Sequence, residues 1–129
     1  MKQVTKIFLF TVFIGQLAYS NAQSQSEGIA QDVSAKEFAV LIANGNGLLL
    51  DVRTPGEFND GHIGDAQHIN FYDDDFKSQI EKLDKEKPVY VYCAAGGRSA
   101  KAMNIMYEVG FKKVYNLLGG YGAWSSGKK

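Results

Sequence analysis

The chain has a single cysteine, Cys93, and it follows directly on the apolar run Pro88-Val89-Tyr90-Val91-Tyr92. Cys93 opens the stretch Cys93-Ala94-Ala95-Gly96-Gly97-Arg98-Ser99, after which a helix-like pattern begins. A strand that ends in a thiol, then a glycine-containing loop closed by an arginine, then a helix N-terminus, can hold a sulfur anion. The helix leaves its first backbone N–H groups unpaired, and its end carries partial positive charge. An ordinary cysteine, with a pKa of about 8.5, is only a few per cent thiolate at neutral pH, and such surroundings lower the value to roughly 3.5–7.5. Cys93 is therefore the candidate nucleophile, and Ala94, Ala95, Gly96, Gly97, Arg98 and Ser99 form the candidate anion-binding loop.

The residue types in the loop divide its work. Gly96 and Gly97 permit a tight turn with inward N–H groups. Arg98, at the closing position, is expected to help hold an anion. Ser99 either caps the helix or hydrogen-bonds the sulfur. Asp51 and Arg53, at the end of another apolar run, are read as supporting residues. The carboxylate of Asp51 can accept loop N–H bonds, and Arg53 can pair with Glu57 or another acid. His62 sits in a turn and is read as a hydrogen-bonding structural residue. One cysteine and two distant histidines, His62 and His68, lack metal-ligand spacing, so no metal or other cofactor is expected. Tyr121 and Trp124 pack the last helix or line the pocket entrance.

Alternating strand-like and helix-like segments must carry these residues. Ile29 to Val33 is a short strand candidate. Ser34 with Glu37 has capping-box spacing, and Phe38, Leu41 and Ile42 share one helical face. Asn44-Gly45-Asn46-Gly47 ends that helix, and Leu48-Leu49-Leu50-Asp51-Val52 reads as a strand covered on both faces. Thr54, Pro55 and Glu57 can start a short helix as N-cap, N1 and N3. Gly61 to Gly64 is a turn that leads to a short strand around Gln67-His68-Ile69. Asp73-Asp74-Asp75 is expected to begin a helix carrying Phe76, Ile80 and Leu83. Ser99 to Val109 is a further amphipathic helix, with Gly110 as its stop. Lys113 to Leu117 is the last strand, and Gly119 to Trp124 makes a turn and a short terminal helix. Such alternation implies an α/β domain with a mainly parallel sheet and helices on both faces, whose sites form beyond the carboxyl ends of the strands.

The N-terminus reads as an export signal over residues 1–22. Lys2 and Lys6 give a basic start, Ile7 to Leu17 an uncharged apolar stretch, and Ser20-Asn21-Ala22 a small-residue cleavage site before Gln23. The alternative is an uncleaved anchor, although the stretch falls short of the ~20 residues a membrane span takes. Residues 23–28 form a polar, disordered lead-in. The chain is neutral over its 129 residues, and removal of the leader takes two lysines and no acid. No basic patch suggests nucleic acid, and no membrane helix remains after cleavage. An exported chain with one thiol has no internal disulfide to make, so the thiol is better explained by use, with a buried inert cysteine as the alternative.

Four segments together resemble a single-domain rhodanese, a thiosulfate sulfurtransferase-like protein. They are Asp51-Val52-Arg53-Thr54-Pro55-Gly56-Glu57-Phe58, then Gly61-His62-Ile63-Gly64-Asp65-Ala66-Gln67-His68-Ile69-Asn70, then the Cys93 loop, then Leu118-Gly119-Gly120-Tyr121-Gly122-Ala123-Trp124. They occur in the family's order, and the domain is expected over residues 29–126. The resemblance implies a rhodanese-like three-layer sandwich around a five-stranded, mainly parallel sheet. It also implies ping-pong transfer of sulfane sulfur through a Cys93 persulfide. The donor would be a small sulfur-containing anion such as thiosulfate or polysulfide, and the acceptor cyanide, a thiol or a partner protein. Members best known for using thiosulfate tend to carry a cation immediately after the cysteine. This chain has Ala94 there, which leaves the mouth of the pocket less positive.

Two other functions compete. A cysteine-dependent phosphatase or arsenate reductase needs the wider Cys-x5-Arg loop, whereas Cys93 to Arg98 is Cys-x4-Arg, a ring suited to one sulfur atom. A non-catalytic sulfur carrier or protein-binding module would use the same cysteine with little turnover. Localisation in the periplasm or outside the cell follows from the leader.

Overall fold

The computed structural model describes residues 28–127. The expected leader over 1–22 and all of the lead-in except Gly28 lie outside the described residues. Five strands form one parallel sheet: β1 (Ile29–Val33), β2 (Leu48–Asp51), β3 (Gln67–His68), β4 (Val89–Tyr92) and β5 (Lys113–Leu117). Their order across the sheet is β1-β5-β4-β2-β3. Five helices connect and follow them: α1 (Ala35–Ala43), α2 (Pro55–Asn59), α3 (Phe76–Glu81), α4 (Gly97–Glu108) and α5 (Gly120–Ser126).

Strand β4 lies between β5 and β2, and all four of its residues are buried. Side chains alternate across a strand, so its two faces feed two cores. Val89 and Val91 join Ile80 of α3 and Met103 and Met106 of α4. Tyr90 and Tyr92 join Phe38 of α1, with Trp124 of α5 packed alongside. Phe38 meets Tyr90, Tyr92 and Trp124 edge-on, at centroid distances of 6.3, 6.4 and 6.1 Å. Helices thus cover both faces, which is why β2 and β4 read as continuous apolar runs rather than alternating ones.

Local signals start the early helices as expected. Ser34 Oγ accepts the Glu37 N–H at 3.1 Å. Thr54 and Glu57 form a reciprocal capping box with Pro55 at the helix start. Two starts differ. The acidic triplet stays outside the helical residues of α3, which start at Phe76 with Asp75 as the N-cap but without a side-chain cap bond. Asp73 and Asp75 instead take the two N–H groups of the Gln79 side chain, at 3.0 and 2.8 Å, and shape the turn before the helix. Helix α4 starts two residues earlier than expected, at Gly97, because Gly96 adopts the left-handed conformation and acts as N-cap. That shift places Arg98 and Ser99 in the first helical turn.

Parallel strands bring their carboxyl ends to one edge, where Val52-Arg53, Cys93 and Leu118-Gly119 leave β2, β4 and β5. A buried ion pair braces this edge. Asp51 is 0 % and Arg53 4 % exposed. Arg53 donates its backbone N–H to Asp51 Oδ1 at 2.8 Å and its Nη2 to Oδ2 at 2.8 Å. Its second Nη2 bond reaches Gly61 O at 2.6 Å, and the Tyr121 ring lies 4.2 Å from the guanidinium. The acid that Arg53 takes is therefore Asp51 and not Glu57. Asp51→Ala strands a buried guanidinium, and we expect it to cost about 3–5 kcal/mol in urea denaturation. Replacing both partners by apolar residues of similar size should cost less than this single change.

Candidate active site at the end of the fourth strand

Cys93 is 1 % exposed and belongs to the α3–α4 core. A buried thiolate needs donors, and the loop supplies them. Gly96, at φ +105°, turns the chain so that its N–H donates to Cys93 Sγ at 3.1 Å. Such a φ is cheap only for glycine. Ser99 Oγ lies 3.3 Å from the same sulfur. Burial by itself pushes the thiol up. The Ser99 hydroxyl and the backbone N–H groups of Ser99, Ala95 and Gly96 outweigh it, and the thiol lies below its ordinary value.

Ser99 has one hydroxyl proton and two acceptors in reach, since Gly96 O lies 3.2 Å away. Gly96 O also receives Ala100 N–H at 3.1 Å and Asn116 Nδ2 at 3.4 Å. With those donors the carbonyl does not depend on Ser99, and the proton is free to serve the sulfur. Asn116 is buried on β5, and the same Nδ2 donates to Asp32 Oδ1 of β1 at 2.9 Å.

The loop's carbonyls are held away from the sulfur by the turn into α5. Tyr121 N–H donates to Cys93 O at 2.8 Å, and Gly122 N–H to Ala94 O at 3.1 Å. Gly120 makes this approach possible, because a Cβ there would lie 2.5 Å from Cys93 O and 2.6 Å from the Ala94 carbonyl carbon. The peptide groups so tied leave Ala95, Gly96 and Ser99 to turn their N–H groups inward.

Arg98 does hold an anion, but that anion is Glu57. Its Nη1 and Nη2 donate to Glu57 Oε1 and Oε2 at 2.8 and 3.0 Å. The Tyr72 ring lies 5.6 Å from the guanidinium. Arg98 and the bonds from Thr54 hold the Glu57 carboxyl down to about 2, against the opposing effect of partial burial. Arg98 acts on the Cys93 sulfur only through space.

The candidate residues divide accordingly. Cys93, Ala95, Gly96 and Ser99 surround the sulfur, while Ala94 and Gly97 form the rest of the loop. Asp51 and Arg53 brace the neighbouring strand end. Ser99 bonds the sulfur from the helix's first turn and is not the N-cap. His62 donates Nδ1–H to Phe58 O at 3.1 Å, and His68 donates Nε2–H to Arg53 O at 2.7 Å. Both rings stack on Phe58, at 3.9 and 4.7 Å. Among the described residues no group of three or more histidine, cysteine or acidic side chains could hold a metal ion. None of their helices is long and apolar enough to cross a membrane. Sequence reasoning missed Asn116, Tyr72 and the partnership of Glu57 with Arg98. Only the Gly119-Gly120 pair carried a signal, of close backbone approach.

Residues 34–127 match the family described as Rhodanese-like domain. The chain is 34% identical over 96 residues to the thiosulfate sulfurtransferase GlpE of Coxiella burnetii, covering 74% of this chain and 88% of that protein. It is 35% identical over 78 residues to a sulfurtransferase of Allochromatium vinosum, covering 60% of this chain and 71% of the other. Among solved structures, a rhodanese-like domain protein from Staphylococcus aureus superposes with a TM-score of 0.65 at 27% identity, covering 73% of this chain and 90% of that one.

Ser99→Ala removes the hydroxyl donor, so the pH–rate profile of Cys93 alkylation should move to higher pH, with a plateau no lower than that of wild type. The Glu57 carboxyl is depressed in the folded chain, so its contribution is present above the unfolded value and lost on acidification. The stability difference between wild type and Glu57→Gln should be constant above pH 4.5 and fade as pH falls through about 2.

Proposed function

The chain belongs to the rhodanese-like family, and on that footing we propose that it is a sulfurtransferase working through a persulfide on Cys93. The observation that carries this reading is the convergence of loop N–H groups and the Ser99 hydroxyl on one buried sulfur. Cys93 thiolate attacks the sulfane sulfur of a donor such as thiosulfate or a polysulfide. The donor's remaining fragment leaves with the electron pair of the broken bond. The new terminal sulfur carries negative charge, which inward N–H groups stabilise as an oxyanion hole does oxygen. A nucleophilic acceptor, cyanide or a thiol, then removes that sulfur and regenerates the thiolate. One exchange becomes two easier steps.

The loop argues against a phosphatase. Its arginine is committed to Glu57 and is not available to a tetrahedral oxyanion. The names of the relatives support sulfur transfer. Export through the leader at residues 1–22, and a partner protein as acceptor, belong to the same proposal.

Mass spectrometry after incubation with thiosulfate or polysulfide tests it. Wild type should gain one sulfur atom at Cys93, and Cys93→Ser should gain none. Release of that sulfur to cyanide well above background is expected of an enzyme. Retention would mark a carrier, and turnover of p-nitrophenyl phosphate that depends on Cys93 would overturn the reading.

A further inference from the structure

The loop that holds the sulfur has no unpaired positive charge. Ala94, Ala95, Gly96 and Gly97 are neutral, and the arginine that closes the loop is gripped at both ends of its fork by Glu57. Glu57 is itself fixed from behind, with Oε1 accepting from Thr54 N–H at 3.2 Å and Thr54 Oγ1 at 3.0 Å. The pair is part of the α2 cap and not a passing surface contact. Glu57 keeps its charge throughout the neutral range.

The chain's other arginine, Arg53, is spent on Asp51 in the same way. Lys85, Lys87, Lys112 and Lys113 lead into β4 and β5, which puts them at the opposite edge of a parallel sheet. On the near edge, Tyr72 leans on Arg98 and is followed by exposed Asp73, Asp74 and Asp75.

Lys36, Lys77 and Lys101 are exposed on α1, α3 and α4, outside the loop and its ion pair. At the loop itself an arriving donor meets amides and a neutralised ion pair. Amides suffice for one sulfur anion. Thiosulfate brings two negative charges and leaves as sulfite with two. A hydropersulfide brings at most one and leaves as a thiolate. Resting on the sulfurtransferase reading above, we propose that Glu57 is a specificity-determining residue that cancels Arg98 and sets the site to take sulfur from hydropersulfides in preference to thiosulfate. The step balances without an oxidant. Cys93 S⁻ attacks the outer sulfur of R–S–SH, the new S–S bond forms as the old one breaks, and R–S⁻ leaves with the electron pair. The proton stays on the transferred sulfur.

Glu57→Gln separates charge from shape. Glutamine also suits the capping box and can still accept from Arg98 through its carbonyl oxygen. Steady-state transfer to cyanide is measured for wild type, Glu57→Gln and Glu57→Gln/Arg98→Gln, with thiosulfate and with cysteine hydropersulfide as donors. Wild type should have the higher kcat/KM for the hydropersulfide. Glu57→Gln should raise kcat/KM for thiosulfate about tenfold at low salt, through KM, and the gain should shrink as salt rises. Its kcat/KM for the hydropersulfide should change about threefold or less, because a single charge has half the interaction energy of a double one in the same field. The double variant, again neutral, should return thiosulfate activity towards wild type. A wild type that prefers thiosulfate overturns the proposal. So does a Glu57→Gln variant with an unchanged donor ratio, or one with weaker thiosulfate activity, which would make Glu57 an aligner of Arg98. Absence of sulfur on Cys93 from either donor removes the sulfurtransferase reading and this inference with it.

Discussion

A sulfur anion under a protein surface has lost its water, and something must replace what the water did. In this chain the replacement is a set of backbone N–H groups and one hydroxyl, all aimed at Cys93 Sγ. Desolvation and hydrogen bonding act on the thiol in opposite directions, and the hydrogen bonds prevail. That balance requires a rigid loop, because a donor that drifts leaves only the desolvation. Much of the surrounding structure can be read as a means of preventing drift.

Three elements fix the loop from three sides. Strand β4, central and fully buried, sets where Cys93 emerges. The turn into α5 ties back the carbonyls of Cys93 and Ala94, at a separation only glycine at position 120 allows. Strand β5 sends Asn116 to the Gly96 carbonyl, which leaves the Ser99 proton for the sulfur. Strand β5 and the turn that follows it come well after the loop in the chain, and they reach it only because parallel strands bring their ends to a common edge.

Charge is arranged on the same principle of local pairing. Both arginines lie at the functional edge, and both are held by carboxylates: Arg53 by Asp51 within the frame, and Arg98 by Glu57 at the loop. The first pair is buried and braces the strand end beside Tyr121. The second is partly exposed and leaves the sulfur's surroundings dipolar instead of cationic. Arginine at the end of a loop invites the expectation that it binds substrate. Here the neighbour across the fold, Glu57, has taken that place.

The sequence by itself determined the alternation of strands and helices, the parallel sheet and the position of Cys93 at a strand's end. Those features follow from apolar runs, cap residues and glycines that act over a few residues. Capping at Ser34 and Thr54 was legible for the same reason, and the start of α3 was not. The acids there were satisfied by Gln79 and served a turn, a choice that dipole arguments over one segment do not capture. Which partner each charged side chain takes, and what holds the loop's carbonyls back, were decided only in three dimensions. Glu57 and Arg98 are 41 residues apart, and Asp32 and Asn116 are 84 apart. Nothing in residue type or spacing couples such positions. The strand order does, by carrying them to one edge, where a carboxylate and the donor it takes come within hydrogen-bond reach.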